Sequence, residues 1–171
     1  SKKNLSRCVC TLRPKSEGGL FVGKEDERKS ILRLIAEYNP FLLDVEFNTI
    51  QKDKKLASYL KKSKCKLLIS WHDFKKTPNE SQLKSRLKKM EKFSNVVKIV
   101  TVAKNVSDAS RLLSLYSVKS KNKMVAFCMG DQGKFSRILC LHLGSPFTYV
   151  SLGKAIAPGQ FSVDEIKSLE N

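Results

Sequence analysis

The sequence predicts an α/β fold: a parallel sheet of repeated βα units of the barrel kind, with helices outside. Three observations predict it. Short apolar runs alternate with segments of helical periodicity six times along the 171 residues, the pattern of parallel strands covered by helices. The run Lys66-Leu-Leu-Ile-Ser-Trp-His-Asp-Phe74 is apolar or small until it ends in polar residues, as a strand is when both its faces are covered. The predicted strands also end in Arg13, Glu46, His72, Gly130 and Gly153, and in α/β barrels the chemistry sits at such ends. A closed barrel takes eight units. An open doubly wound sheet is the alternative, but no Gly-rich phosphate loop follows the first strand.

Each element has its own signal. Arg7 to Arg13 reads as a strand, and Gly18-Gly19 as part of a loop. Ile31, Leu34, Ile35 and Tyr38 recur at helical spacing over Glu25 to Tyr38, and Asn39-Pro40 ends that helix. Phe41 to Phe47 is the next strand, with Asp44 and Glu46 on one face. A short helix spans Asp53 to Ser63, and the His72 strand follows. Asn79 is placed to cap a helix with Leu83, Leu87, Met90 and Phe93 as its apolar stripe. Val96 to Ala103 is a strand, Ser107 to Tyr116 a helix, Lys123 to Gly130 a strand and 134 to 143 a helix. Phe147 to Gly153 reads as a last strand, and Ser162-Val-Asp-Glu165 as the capping box of a final helix.

Composition narrows the function. Hydrophobic content of 41% fits a folded domain, and the length allows one core. No apolar run nears the ~20 residues that cross a bilayer, and no signal-peptide pattern opens the chain. The net charge is +17, carried by 26 Lys against 7 Arg. These lysines are scattered over amphipathic segments, and phosphate forks favour Arg. The charge therefore reads as solvated helix faces that attract small anions, not as a nucleic-acid surface. Cys8, Cys10, Cys65, Cys128 and Cys140 are odd in number and form no C-x-x-C, so free thiols in a reducing, cytoplasmic setting are expected, with no metal site.

Two residues stand out chemically. Lys98 interrupts the apolar run Val97-Lys-Ile-Val100, and lysine is rarely buried unless paired. Burial disfavours the ammonium and frees the amine as a nucleophile for imine formation. The alternative is a lysine that snorkels past the strand end. His72, at the end of the neighbouring strand, suits proton transfer near neutrality; taken alone, it reads rather as a histidine bonded to Asp73 or a loop carbonyl, and it is the pairing with Lys98 that strengthens the catalytic reading.

Six motifs then occur in order: Thr11-Leu-Arg-Pro-Lys-Ser-Glu-Gly-Gly19, Leu43-Asp-Val-Glu46, Ile69-Ser-Trp-His-Asp-Phe74, Val97-Lys-Ile99, Met129-Gly130 with Ser136-Arg137, and Ala157-Pro-Gly-Gln160. In order and spacing the chain resembles the type I 3-dehydroquinate dehydratases over nearly its whole length. The resemblance implies a TIM-type (β/α)8 barrel, of which residues 1–171 form a single domain with about six of the eight units. The first two units would be lacking, with a Glu-x-Arg pair on the second strand, and the chain, which opens on Ser1, would be part of a longer one.

The same resemblance implies a lyase of the shikimate pathway, dehydrating 3-dehydroquinate to 3-dehydroshikimate in aromatic amino-acid biosynthesis. It implies no metal or organic cofactor and a cytoplasmic homodimer with neither nucleic acid nor membrane as partner. Lys98 would form the imine, His72 would shuttle the proton, and Glu17 would orient His72. Arg137 would clamp the substrate carboxylate; Arg13 and Gln160 would bind the ring hydroxyls and the carboxylate side. Asp44, Glu46 and Met129 would line the pocket. Ile156 replaces a serine frequent in the family's lid loop, so one polar contact would be lost. The rival readings are another Schiff-base barrel lyase or aldolase, and a non-catalytic basic binding module built on a barrel fragment.

Overall fold

Apolar runs that cannot stay in water become strands, and amphipathic segments between them become helices. A computed structural model describes residues 2–153 and 155–169. A short helix α1 (Lys2–Leu5) precedes β1 (Val9–Thr11), α2 (Glu25–Glu37), β2 (Leu42–Glu46), α3 (Phe47–Lys52), α4 (Lys54–Lys62) and β3 (Leu67–Asp73). Then follow α5 (Glu80–Met90), β4 (Val96–Val102), α6 (Val106–Leu113), β5 (Lys123–Met129), α7 (Ser136–His142) and α8 (Val163–Leu169). The described strands form one sheet in the order β1-β2-β3-β4-β5. The pairings β1–β2 and β2–β3 are parallel, with Thr11 opposite Asp44 and Glu46 opposite Ser70.

The chain divides into two compact units, Ser1–Trp71 with Lys89–Val97, and His72–Lys88 with Lys98–Asn171. The first buries Leu32, Leu43, Phe47, Ile50, Leu56 and Leu60 at 2% exposure or less. The second has a core of Val100, Leu113, Val125, Phe127, Met129 and Cys140, with Tyr116, Phe135, Phe147 and Tyr149 packed on it. Among the described residues no helix is long and apolar enough to cross a membrane, and the five cysteines are free thiols.

Two predicted caps are present. Asn79 Oδ1 accepts from Gln82 N at 2.9 Å. Ser162 and Glu165 form a reciprocal box: Glu165 N donates to Ser162 Oγ (3.1 Å), and Ser162 N donates to Glu165 Oε2 (2.7 Å).

Four expectations change. Phe147–Gly153 is not a strand: Ser151 alone makes a parallel bridge, to Ser162. Its rings turn instead onto the core around Phe127, so aromatic content favours packing there over a ladder. On α2 the buried positions are Arg28, Leu32 and Ala36, while Leu34 and Tyr38 of the apolar stripe stay 56% and 46% exposed. The rotation follows Arg28, whose partners lie on β2 and at the start of the helix. The helix expected over Asp53 to Ser63 begins at Lys54, and α3 precedes it; extended Asp53 separates the two (φ −109°, ψ 91°). Finally, β1 is three residues long, so Arg13 lies beyond its end.

Asp53 generates a test. Its carboxylate caps α4 by accepting from Leu56 N at 2.9 Å and pairs with Lys29 Nζ at 3.0 Å. The backbone hydrogen bond from Leu56 first, then that from Lys29, holds its pKa below the ordinary value. Its stabilisation is therefore complete above the ordinary carboxylate pKa and lost as pH falls through the lowered folded value. Replacing Asp53 with Ala removes the cap and costs about 0.5–2 kcal/mol in urea unfolding at neutral pH. The loss shrinks as the pH drops below ~4, and equal losses at pH 7 and pH 3 would contradict the cap.

Candidate functional site

In the first unit the predicted residues meet in a charged network at the ends of β1 and β2. Because residues two apart on a strand share a face, Asp44 and Glu46 both point toward Arg13. Arg13 Nη2 donates to Asp44 Oδ2 at 2.6 Å, and Nη1 donates to Glu46 Oε1 at 3.3 Å and Ser70 Oγ at 3.1 Å. Ser70 Oγ donates to Asp44 Oδ1 at 2.5 Å. The sequence reading missed Arg28, which completes this network from α2. It is fully buried, and its Nη1 donates to Glu46 Oε2 (2.7 Å) and to the Leu12 carbonyl (3.0 Å). Its Nε and Nη2 grip both oxygens of Glu25, at 2.8 and 2.7 Å. The signal lay in the Glu25-Asp-Glu-Arg28 spacing, which sets a carboxylate one turn before the arginine.

Burial drives these charges in opposite directions. It pushes the Glu46 carboxyl above its ordinary pKa, although Arg28 and Arg13 pull it down. For Arg28 burial works against the cation, but Glu25 and Glu46 outweigh it and its pKa rises. Glu17 follows Pro14 in a short 3-10 turn, and its Oε1 accepts from Asn48 Nδ2 at 3.0 Å. An open cleft of about 760 Å³ beside it is lined by Pro14, Ser16, Glu17, Lys29, Asn48 and Asp53, among others.

The second unit holds the other predicted residues. His72 stands at the polar end of β3, half-buried, with its ring stacked on Phe74 at 5.8 Å. Lys98 is 8% exposed within β4. Its Nζ lies 4.1 Å from the centroid of the Tyr149 ring, so the side chain is not one that reaches out to solvent. Arg137, on α7, is 2% exposed. Its guanidinium lies over Phe127 at 4.4 Å and donates from Nη2 to the Pro158 carbonyl at 3.3 Å. Its buried Nε has no hydrogen-bond partner among the described residues. Burial pushes its pKa down to about 10, against smaller opposing effects of Cys140 and Cys128. A buried guanidinium with so little compensation is suited to receive an anion.

The loop before α8 is tied to this region by backbone. Gly130 N donates to the Pro158 carbonyl at 3.3 Å. Gly159 has φ 69°, and a Cβ there would come within 2.7 Å of the Gly130 carbonyl oxygen, so a side chain is excluded. Gln160 Oε1 accepts from Ile156 N and Ala157 N at 2.9 and 3.2 Å, closing the loop on itself. Ile156 is 89% exposed, and Met129 is buried in the core. The sequence reading also missed Tyr149 and Phe127, the aromatic seats of the two cations.

Known proteins similar to this chain share one family. Residues 2–170 match the family model described as Type I 3-dehydroquinase. A 3-dehydroquinate dehydratase of Pyrobaculum aerophilum is 41% identical over 158 residues, 91% of this chain and 50% of that protein. One from Dehalococcoides mccartyi is 38% identical over 161 residues, 92% of this chain and 72% of the relative. Among solved structures, the 3-dehydroquinate dehydratase of Aquifex aeolicus is 31% identical with a TM-score of 0.77, over 93% of this chain and 70% of its own. The type I enzyme of Clostridium difficile, solved with covalently modified comenic acid, is 27% identical with a TM-score of 0.82, over 93% and 65%. The chain thus spans between half and about three quarters of the length of these relatives.

The Arg28–Glu46 pair supplies this site's prediction. Arg28→Met leaves Glu46 buried with one cation fewer and costs about 3–5 kcal/mol in urea unfolding. Adding Glu46→Gln recovers a large part of that loss, because the uncompensated charge is gone. A single-variant cost below about 1 kcal/mol, or additive costs, would contradict the pairing.

Proposed function

Because the chain belongs to the type I 3-dehydroquinase family, we propose that it dehydrates 3-dehydroquinate to 3-dehydroshikimate through an imine on Lys98, a step toward the aromatic amino acids. One observation carries this reading: a lysine buried in an apolar strand, its nitrogen against a ring face and away from water. Such a nitrogen suits nucleophilic use, and the solved relative with covalently modified comenic acid fits covalent chemistry in the family.

The chemistry then runs through named groups. The neutral Lys98 amine attacks the ring ketone, forming the N–C bond while the carbonyl π pair moves to oxygen. That oxygen takes one proton from the attacking nitrogen and one from protonated His72 and leaves as water, and the nitrogen becomes a cationic imine. The cation acidifies the neighbouring C–H, and His72 takes the proton as the electron pair moves toward nitrogen. The pair then flows back and expels the β-hydroxyl, which His72 protonates to water. Hydrolysis of the conjugated imine returns the neutral Lys98 amine and puts a proton back on His72. Proton transfer of this kind is worth ~10²–10⁴-fold.

Supporting roles follow residue by residue. Arg137, buried and under-compensated, takes the substrate carboxylate and keeps the reacting atoms aligned. Arg13 is fixed by Asp44, Glu46 and Ser70 and presents a rigid donor to the ring hydroxyls. Gln160 serves the carboxylate side, Glu17 orients His72, and Met129 and Ile156 border the pocket. The reading extends to a cytoplasmic homodimer that uses no cofactor.

Steady-state dehydration, followed by the conjugated enone of the product, tests it. Lys98→Ala falls to background. His72→Ala falls by about 10²–10⁴-fold, and the double variant is no slower than Lys98→Ala, since both act on one sequence of steps. Near-normal turnover by Lys98→Ala would overturn the mechanism, and a parent chain without turnover would favour a binding module.

A further inference from the structure

In the imine reading His72 gives and takes protons at one fixed point, so what fixes its ring matters. β3 ends at Asp73 and α5 begins at Glu80, and the chain leaves His72 through the short loop between them. His72 stacks on Phe74 in that loop, with ring centroids 5.8 Å apart and planes 20° apart. Phe74 is an exposed residue, so packing in the core does not set where its ring stands. The backbone of the loop does. Asp73 Oδ1 accepts from Lys75 N at 2.9 Å and from Lys76 N at 3.1 Å, which turns the chain around Phe74.

The loop is fastened at Thr77, which is buried. Its Oγ1 lies 2.9 Å from the Val102 carbonyl oxygen and 2.7 Å from Thr101 Oγ1, and Thr101 Oγ1 lies 3.3 Å from Cys128 Sγ. Proton counting gives this series a direction. A carbonyl only accepts, so the one hydroxyl proton of Thr77 goes to Val102. Thr101 then donates to Thr77. The Cys128 thiol, whose pKa burial raises, donates to Thr101, the nearer of the two hydroxyls. Both buried hydroxyls are thereby satisfied. The Thr77 backbone is tied as well: its carbonyl accepts from Arg111 Nη1 at 3.2 Å, and the same nitrogen donates to Asp108 Oδ1 at 2.9 Å. Pro78 follows and biases Thr77 toward extended backbone angles.

We propose that Thr77 is a positioning residue for the proton transfers: its hydroxyl latches the loop to β4, and the latched loop holds the Phe74 ring against His72. The proposal rests on the reading above in which His72 shuttles the proton. Thr77 acts through His72 and not on the substrate. A shift of about 1 Å at a reacting group costs up to ~10²-fold in rate, so a latch several residues away controls turnover. Serine supplies the same hydroxyl, and valine supplies the same shape without it. Arg111 holds the latch from α6, where it is half-buried, and a change there loosens the loop without breaking the buried series.

Thr77→Val, Thr77→Ser and Arg111→Met are compared with the parent in the whole chain. Two readouts are taken: kcat and KM for dehydration, and the ring Cε1 proton resonances of the two histidines in ligand-free protein, with His142 on α7 as the internal reference. Thr77→Val lowers kcat by about 5- to 100-fold with KM held within about twofold. Thr77→Ser restores kcat to within about threefold of the parent. Arg111→Met lowers kcat by about two- to tenfold and decides the matter if Thr77→Val does not fold. In a His72→Ala background Thr77→Val changes the remaining turnover by less than about twofold, because the latch works only through His72. A merely structural threonine would lower that turnover too. The His72 resonance moves in Thr77→Val and stays in Thr77→Ser, while that of His142 stays in both. Parent-like kcat in Thr77→Val, or in Arg111→Met where Thr77→Val does not fold, overturns the latch. So does an undiminished loss in the His72→Ala background, or a His72 resonance unmoved by Thr77→Val. His72→Ala turning over like the parent removes the proton-shuttle reading instead, and the catalytic role of the latch with it.

Discussion

A lysine nitrogen buried in an apolar strand must be solvated by the protein, and the chemistry read here depends on how that is done. β4 offers Lys98 little water, since the residue is 8% exposed between residues that are buried themselves. Full removal of a charge from water costs several kcal/mol unless something compensates. The ring of Tyr149, 4.1 Å from the nitrogen, supplies part of that compensation.

The first unit solves the same problem in the opposite way. Arg28 and Glu46, both fully buried, bind each other and are bound again by Glu25, Arg13 and Thr49. Such a network is stable because every member is satisfied, and it fails if one is removed. Its consequence is rigidity: Arg13 is held by three side chains and cannot choose its orientation. One unit fixes its donors through ion pairs, while in the other Arg137 is buried with its Nε unbonded among the described residues.

Most of the architecture was legible because it rests on local signals. The runs that became β2 to β5 are apolar enough to read as strands, and the Asn79 cap and the Ser162–Glu165 box follow from short-range spacing. Two failures were tertiary. Phe147-Thr-Tyr-Val150 has the composition of a strand, but its rings are claimed by Phe127 and the core. The stripe on α2 was placed by hydrophobicity, whereas the buried face is chosen by Arg28 and its carboxylates. Lys98 was visible as a charge in an apolar run. Its seat was not, because Tyr149 lies 51 residues further along, in a segment that reads as something else.

The most direct measurement is chemical trapping. The chain is treated with borohydride in the presence of 3-dehydroquinate, weighed intact, and digested for peptide mapping. The account predicts one reduced adduct per chain, carried by the peptide that contains Lys98 despite 25 other lysines in the sequence. No adduct, or adducts spread over surface lysines with Lys98 unmodified, would contradict it.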